Sequence, residues 1–397
     1  MKPRWIKRCL FASLAFFCVC ASASAQERLV SVLREQILTP GQQVDSVIRE
    51  FGIDVSGKEV NRVFDFIRKH GRSVRCVALS YRTLDPKGRE VIASGLVSFP
   101  ARGRLRGVVE MLPYNREKSM CGSKRLYTTE ILMSVLGYVI LVPDNIGYGT
   151  TEQLTVAYQM TDNSALVASH LREAAQEYFR REQQRVLPRK TYIFGYSLGA
   201  PNALALAYLY AGRKDLQLEA VCLGSGSYNP SLVLEHTLTD GHINYLIYPG
   251  FARSLNAWSD AGLHPDKLFK GKVLEDFDLV SSGVLSPKDM AATYGTDVRN
   301  YLHPDFFSGA ENDDIRRMKS ALADLTIPKE DKRPLPAFVQ VVIRHSDGDD
   351  IVPMICSDVL YEQLRAPLHP VRYRRDSKGT HYEAASRSFI DLFLLLL

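Results

Sequence analysis

The sequence lacks a stretch able to cross a bilayer. The apolar run from Cys9 to Cys20 is about twelve residues, and the tail Leu392 to Leu397 is shorter still, whereas a spanning helix needs roughly twenty. Stable membrane insertion is therefore not expected. A surplus of one charge sign is also missing. The formal charge of +6 owes much to Lys2, Arg4, Lys7 and Arg8, and without the first 25 residues 46 basic side chains face 44 acidic ones. Such a balance gives no electrostatic reason to expect nucleic acid or anionic lipid as a partner. Close cysteine pairs are absent beyond the first twenty residues. Cys76, Cys121, Cys222 and Cys356 stand far apart, which excludes a zinc finger and a disulfide scaffold. One disulfide, for example Cys76 with Cys121, remains open, and Cys222 reads as buried in a strand. Internal repeats and low-complexity tracts are lacking too.

What is present begins with a leader. A basic start from Lys2 to Arg8, the apolar run, and small residues ending in Ala23-Ser24-Ala25 have the form of a secretory signal peptide, residues 1–25. Cleavage after Ala25 would leave Gln26 at the new N-terminus, in a secreted or periplasmic protein. A lipoprotein signal using Cys18 or Cys20 is the alternative, disfavoured by the bulky residues before both cysteines. The full sequence of 397 residues is 46% apolar and 24% charged, ordinary for one large or two smaller globular domains.

Local patterns divide this chain. Residues 26–71 read as mostly helical. Val74 to Tyr81 and Val91 to Phe99 alternate around the turn Asp85-Pro86-Lys87-Gly88, a hairpin signal. Strands and helices then alternate. Strands are expected at Gly107–Leu112, Tyr138–Val142, Thr191–Phe194, Leu218–Leu223, Phe338–Ile343 and Val371–Arg374. Helices are expected at Thr128–Leu136, 158–182 and Pro201–Ala211. This order predicts an α/β fold: a mostly parallel central sheet flanked by helices, with an antiparallel hairpin at one edge. Residues 231–336 break the alternation and carry Tyr245, Tyr248, Phe251 and Trp258. They read as an inserted helical cap after the sixth core strand, leaving 26–230 and 337–397 as the core.

The chemistry centres on Gly195-Tyr196-Ser197-Leu198-Gly199, set between the apolar strand Thr191–Phe194 and the helical run Ala200–Ala211. A strand–turn–helix with serine at its tip and glycine two residues away on both sides is a nucleophile elbow. Serine needs a base, and the base needs an orienting acid, in the chain order Ser, Asp, His. His381 in Lys378-Gly379-Thr380-His381-Tyr382 follows the last expected strand and suits the base. Asp347, Asp349 and Asp350 compete as the acid. His345 precedes them and reads as a structural residue bonded within its own loop.

These motifs resemble the α/β-hydrolase superfamily, most of all secreted bacterial lipase/esterase-like serine hydrolases with an inserted cap. The stretch His345–Pro353 is similar to the family's acid loop, whose aspartate stands four residues before the proline, which points to Asp349. Pro143-Asp144-Asn145-Ile146-Gly147-Tyr148-Gly149 resembles the family's structural Asp-x-x-Gly-x-Gly turn. The resemblance implies an oxyanion hole made by the Leu198 N–H and a second donor from Leu112-Pro113-Tyr114-Asn115-Arg116, here Asn115 or the Tyr114 hydroxyl. This loop departs from the usual His-Gly pair.

The expected function is carboxylic ester hydrolysis through an acyl-enzyme on Ser197, with His381 and Asp349, a small-molecule ester as substrate and no metal or organic cofactor. A peptidase of the same fold is the second reading. It would call on acids in the insertion to hold a free amino terminus, with Asp240, Asp260, Asp266, Glu275, Asp276 and Asp278 as candidates. A non-catalytic binding protein is the third.

Overall fold

A computed structural model describes residues 27–51, 58–126, 128–329, 335–365 and 370–397. The expected leader, residues 1–25, and His369 lie outside them. Nine strands among the described residues form one sheet in the order β1-β2-β3-β5-β4-β6-β7-β8-β9. They are β1 (Leu29–Leu38), β2 (Val74–Leu84), β3 (Glu90–Pro100), β4 (Gly107–Leu112), β5 (Tyr138–Pro143), β6 (Lys190–Tyr196), β7 (Gln217–Gly224), β8 (Gln340–Ser346) and β9 (Val371–Asp376). Pairing is antiparallel from β1 through β3 to β5 and parallel from β5 to β9. β4 to β7 are buried over nearly their whole length, as apolar strands covered on both faces must be.

The first element corrects the sequence reading. Leu29–Leu38 is a strand, not part of a helical segment; only α1 (Pro40–Phe51) and α2 (Lys58–His70) are helical there. Leu29, Val32 and Leu33 have helical spacing, but the free edge of β2 offers a full ladder of hydrogen-bond partners, and that long-range pairing wins over local period. The strand is an edge: Val30, Val32, Leu33 and Ile37 are exposed, and two register shifts interrupt its pairing. Thr129–Leu136, expected as a helix, winds as a 3-10 helix closed by the left-handed Gly137.

Two long helices cover one face: α3 (Thr161–Glu182) and α4 (Gly199–Tyr210). Between β7 and β8 run α5 (Pro230–Asp240), α6 (Ile247–Trp258), α7 (Pro265–Leu268), α8 (Gly271–Glu275), α9 (Phe277–Val280), α10 (Pro287–Tyr294) and α11 (Asp313–Asp324). This helical insertion separates β7 from β8 in the chain, β7 being the seventh strand in chain order because β1 adds one. Its Phe251, Leu268, Met290 and Ile315 share one buried apolar cluster with Leu204 of α4 and Val341 of β8. The chain closes with α12 (Ile355–Leu364) and α13 (His381–Leu396). No helix among the described residues is long and apolar enough to cross a membrane. All four described cysteines are buried free thiols.

Candidate active site

Ser197 stands between β6 and α4 with φ +54°, in the left-handed region that costs a non-glycine residue of order 1–3 kcal/mol. Its neighbours allow this turn only as glycines. A Cβ on Gly195 would lie 2.0 Å from the Gly199 carbonyl oxygen, and one on Gly199 would lie 2.2 Å from that of Leu112. The Ser197 N–H donates to the Gly224 carbonyl at the end of β7, 2.9 Å, which ties the tight turn to the neighbouring strand. Leu198 caps α4, so the positive end of that helix lies at the turn.

Asp349 follows β8, and His381 opens α13. A capping box, in which Thr380 and Glu383 bond reciprocally, fixes the start of that helix and with it His381. His381 Nδ1 lies 2.8 and 3.0 Å from the two Asp349 oxygens. Facing a carboxylate, Nδ1 carries the proton, which leaves the Nε2 lone pair free to accept one. Asp349 Oδ1 also accepts the backbone N–H groups of Ile351 and Val352 at 3.1 and 2.8 Å. Burial pushes the Asp349 carboxyl up, but the His381 charge and hydrogen bonds from His345 and His381 outweigh it, so the group is held well below the usual carboxylate range.

The other two candidate acids have different settings. Asp350 accepts the His381 backbone N–H at 3.0 Å and a bond from Asn244 of the insertion. Asp347 is exposed and faces Arg375. His345 is buried, with Nδ1 2.7 Å from Ser357 Oγ and Nε2 2.9 Å from the Val352 carbonyl. It bonds within its own loop as expected, but it also sits 3.4 Å from Asp349 Oδ2, a contact that sequence order does not reveal.

Ser197, Leu198, Asn115 and His381 line one cavity of about 1030 Å³. Asn115 Nδ2 donates to Tyr245 Oη of the insertion, and Asn115 Oδ1 accepts from Tyr148 Oη at 3.3 Å. The side chain is thus engaged, while neither the Asn115 nor the Leu198 backbone N–H has a backbone acceptor among the described residues. Beside it, Arg116 pairs with Glu130 in a buried ion pair, its guanidinium 4.4 Å over the Tyr114 ring. Burial would raise the Glu130 carboxyl, yet the Arg116 charge and hydrogen bond hold it below its ordinary value.

The glycine turn after β5 lies close by and is built around buried Asp144, which accepts from Ser94 Oγ at 2.7 Å. A Cβ on Gly149 would fall 2.0 Å from Ser94 Oγ. Tyr148 of this turn donates to the Arg116 carbonyl, 3.0 Å, which anchors the loop after β4. Tyr196, beside the serine, donates to the His381 carbonyl, a contact between β6 and α13 that no local sequence pattern signals. None of Asp240, Asp260, Asp266, Glu275, Asp276 and Asp278 lines the cavity. Asp260 instead pairs with Lys87 and Asp278 with Arg253. No group of three or more His, Cys, Asp or Glu among the described residues is placed to hold a metal ion.

This arrangement is that of an α/β-hydrolase fold, and solved structures bear the likeness out. The rice cell wall degrading esterase LipA from Xanthomonas oryzae superposes with a TM-score of 0.72 at 16% identity, over 92% of this chain and 96% of that one. A protein of Legionella pneumophila gives 0.73 at 18% identity, over 93% and 98%. Candida antarctica lipase A in its closed state gives 0.59 at 12% identity, over 91% and 80%. No family model matches the chain, and no curated protein does. The chain therefore has the fold of esterases and lipases.

Proposed function

We propose that the protein is an exported carboxylic ester hydrolase that works through an acyl-enzyme on Ser197. The observation that carries this reading is the pairing of His381 Nδ1 with Asp349 at 2.8 Å, with His381 and Ser197 on the wall of one cavity. His381 Nε2 takes the hydroxyl proton as Ser197 Oγ bonds to the ester carbonyl carbon. The tetrahedral oxyanion is held by the backbone N–H groups of Leu198 and Asn115, at the positive end of α4. His381 then gives the proton to the departing alkoxide, and the alcohol leaves. Water repeats the sequence on the acyl-enzyme, releasing the carboxylic acid and restoring Ser197. Asp349 keeps the imidazole in the required tautomer and balances its charge.

Esters are favoured over peptides because none of Asp240, Asp260, Asp266, Glu275, Asp276 and Asp278 lines the cavity to offer a negative group to a free amino terminus. Residues 1–25 serve as the export signal in this account, and 231–336 as a cap that contributes Tyr245 to the cavity wall. A substrate panel tests it. Short acyl esters should be hydrolysed far faster than aminoacyl anilides, and Ser197→Ala should abolish the ester activity. Equal or faster anilide cleavage would favour the peptidase reading, and activity retained in Ser197→Ala would end the serine mechanism.

A further inference from the structure

The cavity that holds Ser197 and His381 is larger than the reacting group of an ester needs, and one of its arms is lined by apolar side chains. Its volume of about 1030 Å³ lies at the top of the range for small-molecule sites. The arm is bounded by side chains of the N-terminal helices and of the last helix. Val47 of α1, Val63 and Ile67 of α2, Met133, Phe389 and Phe393 line it. From His381 the wall continues along one face of α13 through Ala385, Phe389 and Phe393, at steps of four residues. At 1.5 Å per residue that face extends about 18 Å from the imidazole. Charged side chains at the cavity's edge, among them Lys288, Lys378, Glu383 and Arg387, are exposed.

Protein interiors close-pack, and space left open among apolar side chains forgoes dispersion contacts while giving water few partners. An apolar arm in the cavity that holds the nucleophile therefore fits a flexible hydrocarbon. We propose that it receives the acyl chain of the substrate, which makes the natural substrates esters of medium- to long-chain fatty acids. This rests on the ester-hydrolase reading above and adds the acyl specificity to it. The two N-terminal helices thereby become part of the binding site, although they lie outside the alternating core.

Each methylene drawn from water into the arm should raise kcat/KM about fourfold until the arm is full. The experiment compares acetyl, butanoyl, octanoyl and dodecanoyl p-nitrophenyl esters at concentrations below micelle formation. The protein is expected to prefer the octanoyl or dodecanoyl ester over the butanoyl one by tenfold or more, on the order set by that increment. Val63→Trp, which fills the arm, should lower the dodecanoyl-to-butanoyl ratio about tenfold, again by the cost of displaced methylenes. Ala385→Leu, a smaller change on the opposite wall, should lower the same ratio in the same direction if the tryptophan variant does not fold. Val186→Trp, at an exposed site away from the cavity, should leave the ratio as it is. Rates that fall steadily from butanoyl upward, or a ratio unmoved in both lining variants, would overturn the acyl arm and leave the ester reading standing. Failure to hydrolyse any of the four esters would overturn the ester reading and the arm with it.

Discussion

Removing Arg116 alone should cost far more stability than removing it together with Glu130. Both side chains are buried, at 6% and 3% exposure. The contact is made through a single pair of atoms, with Arg116 Nε and Glu130 Oε2 left without a partner. An ion pair of that kind recovers its desolvation cost only in part, whereas stripping away one member leaves an uncompensated charge in the interior. Arg116→Met or Glu130→Leu should therefore each destabilise by about 3–5 kcal/mol, and the double variant by about 1–2 kcal/mol or less, because it buries apolar surface in place of two ions. Equilibrium urea unfolding of the three variants, read as midpoint shifts at constant m, measures the coupling. The pair also pins the loop that presents the Asn115 N–H. Restored stability in the double variant should thus come without restored turnover, with kcat lowered on the order of 10²-fold by a misplaced oxyanion donor. Additive losses of stability, or a stable double variant with unchanged kcat, would refute the argument.

Other outcomes follow from the same geometry. Asp349→Asn should lower kcat about 10⁴-fold with little change in fold, since an amide presents a donor to His381 Nδ1 and reverses the tautomer; ester-hydrolysis kinetics beside circular dichroism check this. The Asp349 carboxyl is depressed in the folded state, so its contribution to stability is complete above its unfolded pKa of about 4 and is lost as pH falls toward the folded value. Wild type should accordingly lose stability more steeply than Asp349→Asn below about pH 4 in acid titrations of the unfolding midpoint. Gly199→Ala should fail to accumulate as folded protein, because its methyl would meet the Leu112 carbonyl at 2.2 Å; soluble yield and thermal unfolding report the result.

The parts of the site that sequence reveals are those fixed by local backbone constraint. The turn around Ser197 is legible because glycine is required at 195 and 199 whatever the rest of the fold does. Asp349 and His381 are legible because each follows a strand that ends at the same edge of the sheet, so chain order carries spatial meaning. The same logic placed the buried strands β4 to β7, whose apolar runs have no other use. Contacts between distant segments were not legible. Tyr245 reaches Asn115 from 130 positions away, and nothing in the local pattern near either residue signals it. Tyr196 and the His381 carbonyl are 185 positions apart. The first strand was hidden for a related reason: the spacing of Leu29, Val32 and Leu33 suits a helix, and only the open edge of β2 decides otherwise. His345 shows an intermediate case, since its loop bonds could be anticipated while its approach to Asp349 depends on how that loop folds back.

Labelling with a fluorophosphonate, followed by mass spectrometry of the peptides, tests most directly whether the Ser197 hydroxyl is activated by His381 and Asp349. The folded protein should take up one phosphonyl group, on Ser197, and His381→Ala should slow that uptake by orders of magnitude. Modification at another serine, or a labelling rate indifferent to His381, would contradict the mechanism.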